Sequence, residues 1–218
     1  MSQLAQSETA IDGLHPSAPQ QLPFAPTVDI RSFLLRRDHG NLLLYSVAAP
    51  NFDVEGVEKL GGISRQYLSH RHEAMFAPER PAAPLFVHVH ERDSVAGKLR
   101  VRGTFSRRHM LDDDFEAIPI SGHTAGATAY LWDTGRHRLL FTGDSLYLDD
   151  GEWAAAVLDS SDRGTYIESL ELLRELDFDV LVPWAATAGQ PYFALTDRAD
   201  ARRRIDAILD RVRRGEDH

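Results

Sequence analysis

Leu139-Leu140-Phe141-Thr142-Gly143-Asp144 is the stretch from which the fold is read. A short apolar run, of strand length, ends in a glycine and then a carboxylate. Strands are rigid and the loops beside them are accessible, so a carboxylate delivered at a strand end sits where binding clefts form. Upstream, Ile120-Ser121-Gly122-His123-Thr124-Ala125-Gly126 repeats the device with an imidazole. Further upstream, Leu68-Ser69-His70-Arg71-His72-Glu73-Ala74-Met75 carries two histidines two residues apart. In an extended segment, residues i and i+2 share a side, and two imidazoles there can converge on one cation. Taken singly each piece is common. Paired surface histidines at a strand end are an ordinary occurrence, and Gly-Asp more so.

The rest of the chain supplies elements to carry these pieces. Ile30–Arg37 and Asn41–Val47 are apolar runs joined by Asp38-His39-Gly40, a hairpin signal. Asp53–Leu60 has helical spacing and is stopped by Gly61-Gly62. Strands are expected at Gln66–Ser69, Ala83–Val89, Leu99–Phe105, Phe115–Ile120, Ala127–Trp132 and Arg138–Phe141, with Thr134-Gly135 as a turn. Tyr166, Ile167, Leu170, Leu173 and Leu176 share a helical face, as do Ala201, Ile205, Ile208, Leu209 and Val212, with Asp179–Pro183 as a buried strand between the two helices. Hairpins followed by mixed strands and helices imply sheets covered by helices in a layered α/β domain.

Composition narrows the function classes. Hydrophobic residues make up 43% of the 218, enough to build a sizeable core. There is no cysteine, which removes disulfides, thiolate ligands and thiol nucleophiles. The net charge of −9 disfavours general attraction to nucleic acid or anionic membrane. No apolar run is long enough to cross a bilayer, and the first residues lack the basic start and apolar stretch of a secretory signal. A cytoplasmic location is expected. Lys59 and Lys98 are the only lysines, and this arginine bias reads as the signature of a GC-rich bacterial genome. Residues 1–26, rich in Ser, Gln, Ala and Pro, are expected to form a flexible arm before a single domain over 27–218.

The order of these motifs resembles the metallo-β-lactamase superfamily. Its pattern is an N-terminal hairpin, a strand ending in His-x-His-x-Asp-His, a later Gly-His-Thr, a strand ending in Thr-Gly-Asp and a strand ending in histidine. The resemblance runs from about Ile30 to Pro183 and implies a four-layer αββα sandwich with metal at one sheet edge. It further implies that His70, His72 and His123 hold a first metal and that Asp144 bridges toward a second. His88 and His90 fall on a strand that is usually structural in the family and are left out of the site.

The departures are as telling. The family's motif aspartate and last motif histidine fall on Ala74 and Met75, and Trp184-Ala185-Ala186 stands where the final histidine is due. One zinc or iron ion at most is therefore expected, with the site empty after purification allowed for. The favoured reading is a mononuclear metal-dependent hydrolase of an ester, thioester or amide, acting on a small molecule. Asp144 serves as ligand or water-orienting group, and Glu73, the nearest spare carboxylate, as general base. Two other readings stand beside it: a degenerate, non-catalytic ligand- or partner-binding domain, and a mononuclear iron oxygenase using His70, His123 and Asp144. No nucleic-acid or membrane partner is expected, and the oligomeric state is left open, homodimer included. The pocket is expected from the loops Phe76–Pro84, Arg107–Asp114, Asp149–Trp153 and Ala186–Phe193, with Trp153, Trp184, Tyr192 and Phe193 as candidate lining residues.

Overall fold

The computed structural model describes residues 10–48 and 54–217. Two six-stranded sheets lie face to face. The first has the order Leu14–Pro16, Phe33–Leu35, Leu42–Leu44, Arg65–Tyr67, Leu85–His88, Val101–Phe105. The second has the order Ala194–Leu195, Val180–Val182, Arg138–Phe141, Thr128–Asp133, Phe115–Pro119, His109–Met110. A third, five-stranded sheet joins Glu152–Ala154, Tyr147–Asp149, Ala185–Thr187, Ala25–Ile30 and Gln20–Leu22 at one end.

Strand alternation explains the layering, because successive side chains leave opposite faces of a sheet. Phe115, Ala117, Tyr130, Trp132, Leu139 and Phe141 face the first sheet and pack with its Phe33, Leu35, Leu42, Leu44 and Tyr67. Ile118, Ala129, Leu131 and Leu140 point the other way, against Tyr166, Leu170, Leu173, Ile205, Ile208 and Leu209 of the helices Arg163–Glu175 and Arg198–Arg213. Asp162 and Asp197 cap those helices through Thr165 N and through Ala199 and Asp200 N. On the outer face of the first sheet, Leu85 and Val87 meet Val95 of the helix Arg92–Ala96 and Ala74 of a 3₁₀ turn. The result is helix, sheet, sheet, helix: the αββα sandwich.

Most expected elements fall where the sequence puts them. The Asp38-His39-Gly40 turn does join two antiparallel strands, paired Phe33↔Leu44 to Leu35↔Leu42. The helix expected over Asp53–Leu60 runs Val54–Lys59; Asp53 lies outside the described residues. Two expectations need correction. Residues 1–26 were assigned to a loose arm, yet Leu14–Pro16 pairs with Phe33–Leu35 and Gln20–Leu22 pairs with Ala25–Ile30. Ile11, Leu14 and Leu22 are the buried anchors of this stretch, too sparse among polar residues to show a period. The second correction concerns His70 and His72. His70 is extended (φ −159°, ψ 167°), but the chain then turns at once into the 3₁₀ helix Arg71–Phe76, so His72 reaches the site from a helical turn and not from a strand.

The strands Arg65–Tyr67, Arg138–Phe141 and Val180–Val182 all end at one edge of the sandwich. There the two sheets are joined directly: Thr128 N donates to Ser69 O at 2.9 Å, and Tyr130 Oη donates to Leu68 O at 2.7 Å. This fixes the first histidine motif against the second sheet.

Candidate metal centre

His70, His72 and His123 meet at that edge. One ring nitrogen from each lies within 4.8 Å of the others, and this is the one such cluster of three metal-ligating groups among the described residues. His72 Nδ1 stands 3.2 Å from His123 Nε2. Asp144 joins them, with Oδ2 at 3.3 Å from His70 Nε2 and 4.0 Å from His123 Nε2. Ligand atoms about 2 Å from a shared ion stand about 3–3.5 Å apart, so the spacing suits one cation.

The hydrogen-bond network sets the tautomers. His123 Nδ1 lies 2.7 Å from the Ala156 carbonyl and must donate to it, which leaves a lone pair on Nε2. His70 Nδ1 faces Ser69 Oγ at 2.9 Å and Glu73 Oε1 at 3.2 Å, which places the hydrogen on Nδ1 and a lone pair on Nε2. That Nε2 is buried and has no hydrogen-bond partner, and neither has Asp144 Oδ1. Buried polar atoms are nearly always satisfied, and a buried His70 Nε2 without a hydrogen bond, 3.3 Å from Asp144 Oδ2 and beside two further imidazoles, is an arrangement that a cation would satisfy. The donor set, three imidazoles and a carboxylate, fits zinc.

Electrostatics agree. Burial opposes charge on His70, but Asp144 on one side and Glu73 on the other outweigh it and lift its pKa to about 10. Burial, then the neighbouring His70 charge, lowers His72 and His123 to about 4. Burial works against the Asp144 carboxylate, but the three histidines hold its pKa below the usual range. A proton on His70 thus balances buried anions that a cation would balance instead.

Two glycines make the approach feasible. Gly143 has φ +58°, and a Cβ there would stand 2.8 Å from Ser69 Cβ and 3.3 Å from His70 Nδ1. Gly122 has φ +137° and lies against Tyr166, whose Cβ would be 2.6 Å away. Tyr45 holds the Gly143 turn from below: its hydroxyl accepts from Gly143 N and donates to Val182 O, both at 2.9 Å.

Glu73 takes a different place from the one its sequence position implied. It is fully buried and sits on the Nδ1 side of His70, away from the converging lone pairs. Its Oε1 accepts from Ser69 N at 2.7 Å, Ser69 Oγ at 2.6 Å and His70 N at 3.2 Å. The sequence offered it as a general base; its contacts are instead those of a group that fixes the His70 ring. The Arg71 backbone N donates to Glu91 Oε2, which anchors the turn that carries His72. His88 accepts from His90 N and stays outside the cluster.

A cavity of about 350 Å³ opens onto His72, His123 and Asp144. Of the four loops expected to form it, only Phe76 contributes. Trp184 lines it, whereas Trp153, Tyr192 and Phe193 pack in the core. The other walls come from the hairpin Gln20–Ile30 and from Met75, Tyr147 and Leu158. Where the second ion of the family pattern would need ligands, Ala74 is packed among apolar residues and Met75 is exposed. The Trp184 indole stands edge-on to His70, ring centroids 5.5 Å apart, with Nε1 donating to Ser46 O. A broader cleft of about 840 Å³ lies at the opposite end of the Arg138–Phe141 strand, where Arg36 and Arg37 are paired with Asp12 and with Asp112 and Asp114.

Comparison with known proteins bears on the same residues. The family model for the metallo-beta-lactamase superfamily matches residues 63–185, which include all three histidines and Asp144. No curated protein gives a significant sequence match. Among solved structures, ETHE1 from Myxococcus xanthus is similar at a TM-score of 0.60 and 17% identity, over 90% of each chain. An archaeal superfamily protein from Sulfolobus tokodaii gives 0.63 and 15%, over 92% of this chain and 87% of its own. The metallo-beta-lactamase GOB-18 from Elizabethkingia meningoseptica gives 0.56 and 15%, over 96% and 94%. At such identities the likeness is one of fold. With more than half its length matched by the family model, and with the sandwich and the histidine cluster in place, the chain belongs to the metallo-beta-lactamase superfamily.

Proposed function

We propose that this protein is a mononuclear metal-dependent hydrolase of a carbonyl substrate: an ester, thioester or amide. His70 Nε2, His72 Nδ1 and His123 Nε2 are assigned as ligands, with Asp144 as fourth ligand or as the group that orients water. The observation that carries this is the buried His70 Nε2, without a hydrogen bond, meeting two further imidazoles with Asp144 Oδ2 3.3 Å away. A zinc ion there supplies a Lewis acid and lowers the pKa of water. Three inward-facing imidazoles favour zinc over a two-histidine iron site.

The chain's own residues do the rest. Ala156 O and Glu73 fix the tautomers of His123 and His70. Asp144 is the carboxylate with oxygens at the site, so it accepts the proton of the attacking water. Trp184 and Phe76 exclude bulk solvent from one side. Among the described residues no helix is long and apolar enough to cross a membrane, and a small-molecule substrate suits a cavity of about 350 Å³.

The test is hydrolysis of 4-nitrophenyl acetate and of a simple thioester by protein loaded with zinc. Chelation and His123→Ala are expected to return the rate to background. Asp144→Asn is expected to lower kcat by about 10²–10⁴-fold, the usual contribution of general acid–base catalysis. Turnover that survives exhaustive chelation overturns the proposal. Absence of turnover with zinc or iron overturns it in favour of a non-catalytic binding domain, a reading supported by the loss of ligands at Ala74, Met75 and Ala185.

A further inference from the structure

The cavity beside the imidazoles differs from its surroundings in two ways. The first is apolarity. Leu22, Phe24, Phe76, Leu158 and Trp184 line it. Of the six large hydrophobic residues most exposed among those described, three are on its rim: Phe24 at 75%, Met75 at 54% and Leu158 at 42%. Scattered exposed apolar residues are ordinary, but three around one opening mark a binding surface. The second is charge. Among the described residues no arginine or lysine lines the cavity, although the chain has 24 of them, and the one carboxylate there is Asp144. A charge on the far part of a substrate would be buried against these apolar walls with no cationic side chain to pair it, at a desolvation cost.

From this we infer that the substrate is uncharged and carries an apolar chain next to its reactive carbonyl: a neutral ester, lactone or thioester of a medium-length acyl group. The carbonyl lies at the His72, His123 and Asp144 end, and the chain lies along Phe76 and Trp184 under the hairpin Gln20–Ile30. Phe24, at the turn of that hairpin and 6.3 Å from the Phe76 ring, is the residue that selects for the chain. The volume, about 350 Å³, is at the small end for ligand sites and limits the chain to medium length. This inference rests on the hydrolase reading for its chemistry, but its binding half stands apart from it.

Two measurements separate the two. In the first, zinc-loaded protein hydrolyses 4-nitrophenyl acetate, butyrate and octanoate and the anionic 4-nitrophenyl hemisuccinate, with rates corrected for spontaneous hydrolysis. Burial of a methylene is worth about a fourfold gain, so kcat/KM should rise at least about tenfold from acetate to octanoate. Hemisuccinate should fall below butyrate. Phe24→Ala should cut the octanoate-to-acetate ratio about fivefold. The second measurement needs no turnover: the melting temperature of the protein, with and without zinc, is followed against decan-2-one and butan-2-one, which cannot be hydrolysed. Decan-2-one should give a saturable rise that butan-2-one does not, and Phe24→Ala should diminish it. A flat chain-length profile, a preference for hemisuccinate, or no response to decan-2-one overturns the inference even if hydrolysis is found. Binding of decan-2-one without hydrolysis supports it and sinks only the hydrolase reading.

Discussion

Glu73 has no solvent exposure, and one of its oxygens accepts from the Ser69 backbone, the Ser69 hydroxyl and the His70 backbone while also facing His70 Nδ1. A carboxylate on the far nitrogen of a ligating imidazole fixes its tautomer and raises its basicity, and losing such a partner typically costs about 10–100-fold in metal affinity. Glu73→Gln is therefore expected to weaken zinc binding by about that factor in a competition titration, and an unchanged affinity would remove Glu73 from the centre. The sequence offered Glu73 as general base, and its place on the Nδ1 side of His70 favours a positioning role instead. It sits between two ligand-like residues in the motif, and only the 3₁₀ turn, which reverses the chain after His70, decides which side of the ring it meets. His123 and Asp144 stood out in the sequence because each follows a glycine at the end of an apolar run, and His70 and His72 because they are two residues apart. The tautomers were not, since the partner of His123 is Ala156 O, thirty-three residues away in the chain.

At the scale of elements, the strands with clear alternation or continuous apolar runs were readable, while the short strands of the third sheet were not. Tyr147–Asp149, Ala185–Thr187 and Gln20–Leu22 have three residues each, too few for a period to register, and they are held by pairing with distant partners. The Phe33–Leu35 strand is tied to the second sheet by Arg37, whose buried guanidinium binds Asp114 through Nε and Nη2 and reaches Asp112 at 2.7 Å. Burial alone would raise the Asp114 pKa, but its bonds to Arg37 lower it below the ordinary value. A carboxyl with a lowered folded pKa contributes stability that is present above its unfolded pKa, near 4, and lost as pH falls through the folded pKa. Asp114→Asn should therefore destabilise at neutral pH, toward the lower end of the about 3–5 kcal/mol for breaking a buried pair, because Asp112 remains. The gap between variant and wild type should close as pH drops from about 4 toward 2. Urea unfolding across that range is the check, and a gap that persists unchanged at low pH would contradict it.

For the whole molecule, the sandwich brings three motifs from separate parts of the chain to one edge, and the family model spans them. The sequence also carried the asymmetry of the centre: Ala74, Met75 and Ala185 cannot serve a second ion, and Trp184 stands edge-on to His70 beside the cavity. The central claim is thus a count, one ion per chain held by His70, His72 and His123. Zinc titrated into metal-free protein, with bound metal measured per chain and melting temperature followed, tests it most directly. A ligand that binds only the folded state stabilises it by mass action. The account predicts a saturable rise complete at one equivalent and abolished by His123→Ala. Two tightly bound equivalents, or no shift with zinc, iron, manganese or nickel, would contradict it.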